Sequence, residues 1–129
     1  MPPLPRNGYV QPVEGTAGGI PIPFTPVPPV NEPHFATGRT PVPTPGTAVQ
    51  LNGGVSVPIP GGYYLVIKAP KANTGTMFIG NSQPNAEDVT VSYPLDKQEV
   101  IEYGITDVNL VWVDASVAGE EVVWTVEQV

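Results

Sequence analysis

The sequence predicts an all-β protein: a small antiparallel β-sandwich or β-barrel, jelly-roll-like, preceded by an extended proline-rich arm. Three observations carry this. From about residue 47 onward, apolar residues recur with period two in short runs. Those runs are separated by clusters of Gly, Asn, Asp and Pro that favour turns. Prolines crowd the start of the chain, fifteen in residues 1–60 against three in residues 61–129, and proline removes the donor that helix and sheet need. The division that follows is an arm over residues 1–46 and a β domain over residues 47–129.

The arm has neither a helical nor a strand period. Its prolines favour polyproline II, with three residues per turn. In the stretch GGIPIPFTPVPPV (18–30) that period puts Pro23, Pro26 and Pro29 on one edge and Phe24, Val27 and Val30 on another. Disordered linkers are poor in large apolar groups, whereas this arm carries Ile20, Ile22, Phe24, Val27, Val30 and Phe35. These six are the candidate anchors of an arm that docks in a groove, on a neighbouring copy or on another protein. A flexible tail with incidental apolar residues is the plainer alternative. Glycines at 8, 15, 18, 19 and 38 let the path bend.

The domain reads as successive strands. TAVQL (47–51) leads into the turn signal Asn52-Gly53-Gly54 and then VSVPIP (55–60). YYLVIKA (63–69) sets Leu65 and Ile67 on one face, and TMFIG (76–80) is a short strand. DVTVSY (88–93) aligns Val89, Val91 and Tyr93, and QEVIEY (98–103) aligns Ile101 and Tyr103. DVNLVWV (107–113) aligns Val108, Leu110 and Trp112, and the last run (121–129) aligns Val122, Trp124 and Val126. The predicted core is Leu65, Ile67, Ile79, Val91, Ile101, Leu110, Trp112, Val122, Trp124 and Val126. No segment shows a helical stripe. Tyr64, Val66, Val111, Val113 and Val123 fall on second faces, which reads either as another buried surface or as ordinary surface valine in strands.

Charge narrows the function. Residues 1–46 hold Arg6 and Arg39 against Glu14 and Glu32, so the net charge of −7 lies in residues 47–129, with three lysines and ten acids. An acidic domain repels the phosphate backbone, so nucleic acid is not expected as a partner. No apolar stretch reaches the ~20 residues of a membrane helix, and Met1 leads into PPLPRNGY without a signal-like segment. A soluble chain not exported by the usual signal is the expectation, with no membrane partner.

Catalytic chemistry is thin. There is no cysteine and the one histidine, His34, lies in the arm. That leaves neither a Ser-His-Asp triad nor a histidine-rich metal site in the domain. Glu87-Asp88 and Glu120-Glu121 are adjacent pairs whose side chains diverge in a strand. Asp107 and Asp114 flank one run, and NSQPNAED (81–88) offers oxygens without the spacing of a calcium loop. The glycines of NGGVSVPIPGG precede no helix, which removes the phosphate-loop reading. Pro23, Pro26 and Pro29 form a PxxPxxP that SH3 or WW domains read, but Arg6 and Arg39 are both distant. The expectation is a protein that is not an enzyme, with no cofactor and no metal.

The segments GGYYLVIKAPKANTGTMFIGNS and YPLDKQEVIEYGITDVNLVWVDASVAGEEVVWTVEQV resemble small β proteins of tailed-phage virions. The likeness rests on Gly75 to Ser82, on Pro94-Leu95 and on Asp107 to Val126, within residues 60–129. Asp96-Lys97 stand where such families usually show a glycine. The resemblance implies a capsid decoration, or cement, protein on the outside of the shell. Its partners would be the major capsid protein and neighbouring copies of itself, with a trimer favoured. It would be made in the host cytoplasm and reside on the virion. A phage tail, neck or fibre-attachment protein is the alternative. A carbohydrate-binding module with Tyr63, Tyr64, Tyr93 or Trp112 as its stacking platform is a third reading, from another class.

Overall fold

The computed structural model describes residues 36–128. The candidate anchors Ile20, Ile22, Phe24, Val27, Val30 and Phe35, and His34, lie outside the described residues. The alternating runs become strands: β1 (Ala36–Pro41), β2 (Val49–Gln50), β3 (Tyr63–Lys68), β4 (Met77–Gly80), β5 (Tyr93–Leu95), β6 (Val100–Tyr103), β7 (Trp112–Ala115) and β8 (Glu121–Gln128). They form two antiparallel four-stranded sheets, ordered β1-β8-β3-β6 and β2-β7-β4-β5.

Both sheets feed one core. From the first come Leu65, Ile67, Val122, Trp124 and Val126, and from the second Met77, Ile79, Leu95 and Val113, all buried. Register explains the alternation. Leu65 pairs with Val126 and Ile67 with Trp124, so β3 and β8 present the same face. Ile101 pairs with Ile67 and is half-buried against that core.

Several expectations are corrected. Residues 36–46 are not arm. β1 pairs with β8 from Ala36↔Val126 to Pro41↔Glu121, and Val42 is fully buried. The alternation was hidden because the inward positions of β1 are Ala36, Gly38 and Thr40, none of them large and apolar. Gly38 is required there: a Cβ would fall 2.7 Å from the ring of Trp124, its cross-strand partner.

The run 107–113 is not one strand. Asp107 accepts the backbone N–H of Asn109 at 3.0 Å and opens a 3-10 turn over Val108–Leu110. That turn shifts the register by one, which swaps the faces. Val111 and Val113 are core, while Leu110 is 48% exposed and Trp112 is half-buried. Val91 also leaves the core, at 57% exposure. The side chain of Asp88 takes the N–H of Thr90 at 2.9 Å, which turns the chain where a strand was expected. Of VSVPIP, only an isolated bridge, Pro58↔Asp107, joins β pairing.

One helix appears within NSQPNAED: α1 (Gln83–Glu87), capped by Ser82, whose hydroxyl accepts from the N–H of Asn85. Its length is too short for a periodic stripe to show in sequence. Ala86 is buried against β4, where a Cβ on Gly80 would come within 2.5 Å of the Ala86 nitrogen. After Asp96-Lys97 the left-handed conformation falls on Gln98, with φ 68°. A non-glycine residue there costs ~1–2 kcal/mol, partly offset by the freer unfolded chain of glycine. Gln98→Gly is therefore expected to raise unfolding stability by about 0.5–1 kcal/mol in urea titration.

Candidate binding groove

β5 and β6 are each the last strand of their sheet, and β4 lies next to β5. Between them lies a groove of about 530 Å³. Its apolar wall is Ile79, Val91, Ile105, Leu110 and Val111, and two tyrosines, Tyr93 and Tyr103, stand at its sides. Asn81 and Asn85 supply its polar atoms, and Asn85 Nδ2 donates to Asn81 Oδ1 at 2.6 Å. No charged side chain lines it.

Local causes place each part. The Asp88 turn ejects Val91 from the core and holds it at the rim. The 3-10 turn after Asp107 does the same for Leu110 while Val111 forms the floor. Burial raises the Tyr103 phenol above its ordinary pKa, and the nearby Tyr93 adds to this. The Tyr103 phenol therefore stays neutral at physiological pH.

The acids do different work. Asp107 accepts from Val57 N at 3.0 Å and from the Ser56 hydroxyl, besides Asn109 N. Glu120 accepts from the backbone of Thr74, from the Thr74 hydroxyl at 2.8 Å and from Gly75 N at 2.9 Å. Buried Asp114 takes Gly46 N at 2.9 Å, and Glu87 takes Ala48 N at 2.9 Å. These carboxylates tie loops to the sheets. Among the described residues no three of His, Cys, Asp and Glu gather as a metal would require.

Two of these ties predict acid sensitivity. At Asp107 burial acts to raise the pKa, and the bonds from Ser56, Asn109, Val57 and Val108 outweigh it, so the net shift is downward. Glu120 is lowered first by the Thr74 amide. A carboxyl lowered on folding adds stability that is complete above its unfolded value, near 4, and is lost as pH falls through the folded value. Asp107→Asn should thus lower the melting temperature at pH 7 and differ less from the parent near pH 3. An equal deficit at both pH values would contradict this account of Asp107.

Of the proposed stacking residues, only Tyr93 reaches the groove. Tyr64 lies on the outer face of β3, Tyr63 is half-buried on that strand, and Trp112 is half-buried on β7. They form no common platform. Tyr103, Ile105, Leu110 and Val111 were not legible as site residues, because their convergence depends on two sheet edges meeting. No family model, curated protein or solved structure matches this chain. The groove's chemistry is therefore the main guide to what the chain does. Its lining is apolar and aromatic, with the neutral side-chain amides of Asn81 and Asn85.

Proposed function

We propose that this chain is a structural protein of a tailed-phage virion, a capsid decoration or cement protein that binds the outside of the shell and stabilises it. In this reading the body is a jelly-roll-like β-sandwich and residues 1–32 are the arm. The observation that carries it is an uncharged apolar groove on a body whose acids are largely committed to holding loops. Such a surface suits the burial of another protein's apolar chain. Each fully buried large apolar side chain contributes ~1.5–3 kcal/mol before ordering costs, and repetition over a lattice multiplies weak contacts.

The residues behind the virion resemblance support this by their structural roles. Gly75 N donates to Glu120, Gly80 admits α1, and Ser82 caps it. The pattern describes how this body is braced, as expected of a shell component. A carbohydrate-binding module keeps a claim through Tyr93, which is 53% exposed.

Antibody against the purified protein tests these readings on phage particles from the source, by immunogold electron microscopy. Labelled heads support decoration. Labelled tails or necks alone transfer the chain to the tail apparatus. No labelled particle, together with binding on a glycan array, replaces the virion reading with the carbohydrate one.

A further inference from the structure

We propose that the groove between β4, β5 and β6 receives residues 20–30 of a second copy of this chain. The inference rests on reading the protein as a structural binding component, and it names the groove's occupant. Residues 15–31 contain no charged side chain, and neither does the lining of the groove. Insertion therefore desolvates no ion, which would otherwise dominate the cost. Extended proline-rich segments dock in aromatic-lined grooves because they lose little conformational entropy. Tyr93 and Tyr103 supply the aromatic sides. A polyproline II chain leaves its carbonyls unbonded, and the side-chain amides of Asn81 and Asn85 offer donors at the groove.

The place where the described chain begins favours a second copy. Ala36 pairs with Val126, Val126 with Leu65, and Leu65 with Tyr103. Three strand spacings thus separate the start of β1 from the groove's Tyr103, ~14 Å at ~4.8 Å each. Arm root and groove open at the same end of the body, so two copies facing each other there can exchange arms reciprocally. Eleven residues in polyproline II also span ~34 Å, whereas the four-residue β6 beside the groove spans ~13 Å. Only part of such a segment could lie beside β6, and the rest would be free to bridge two bodies.

The test uses the full chain with Phe24 replaced by photoreactive benzoylphenylalanine, mixed from unlabelled and ¹⁵N-labelled protein. Irradiation should link residue 24 of one isotopic form to the 79–111 region of the other. Links confined to single chains, links elsewhere, or none would overturn the proposal. In parallel, Leu110→Glu, at a rim position exposed enough to accept charge, should weaken self-association at least about tenfold in analytical ultracentrifugation. Val117→Glu, at an exposed site outside the groove lining, should leave it unchanged. Equal behaviour of the two variants would also overturn it. Linked arms without any labelled phage particle would sink the virion reading and leave this one standing. Labelled heads with no link to the groove would do the reverse.

Discussion

Removing residues 1–46 is expected to unfold the body, whereas removing residues 1–32 leaves it able to fold. The compact unit that contains both sheets begins at Pro33. A cut after residue 46 takes away β1 and all six of its register pairs with β8. It also removes Val42, which is fully buried and exchanges backbone hydrogen bonds with Gly119 and Glu120. Thr40, whose hydroxyl accepts the N–H of Asn52 at 2.9 Å, goes too. Trp124 would lose the strand its ring covers. Removing a buried valine alone costs on the order of 2 kcal/mol, and the unpaired edge of β8 adds more. The sum is comparable to the ~5–15 kcal/mol that holds an ordinary domain together. Circular dichroism and thermal melting of the two truncations check this. A cooperative native transition in the shorter fragment would show that β1 is dispensable.

Gly80→Val carries the next largest effect, an expected loss of about 3 kcal/mol. The Cβ would meet backbone atoms of α1, with Ala86 N at 2.5 Å and Ala86 Cα at 2.8 Å. Backbone cannot rotate aside as a side chain does. Relief requires α1 to lift from β4, which exposes Ala86 and pulls Glu87 from the N–H of Ala48. Gly80 also belongs to the groove, so this variant should lose stability and self-association together. By contrast, Leu110→Glu loses self-association while its melting temperature stays near the parent's. Urea denaturation separates the two cases.

What the sequence made legible is the body's sheet-forming core. Leu65, Ile67, Ile79, Val122, Trp124 and Val126 were placed by period two alone, because each alternates with a more exposed neighbour along a regular strand. Where a side chain competes with the strand for the backbone, that reading fails. Asp88 and Asp107 each capture a nearby amide, and the apolar residues that follow, Val91 and Leu110, turn outward. These two departures make the rim of the groove. β1 escapes the pattern for the opposite reason, since small residues face inward beneath Trp124 and Pro41, with Pro43 and Pro45 after it, mimics an arm. The groove itself was not legible, because it is formed by residues from 79 to 111 meeting across two sheet edges.

Residues 20–30 are proposed to lodge in the apolar groove of a second copy. Amide hydrogen exchange of the full chain, followed from low to high protein concentration, tests this most directly. The account predicts that residues 20–30 and the groove segments around 91–93 and 103–111 gain protection together as concentration rises. Exchange of residues 20–30 at the free-peptide rate at every concentration, or protection indifferent to concentration, would contradict it.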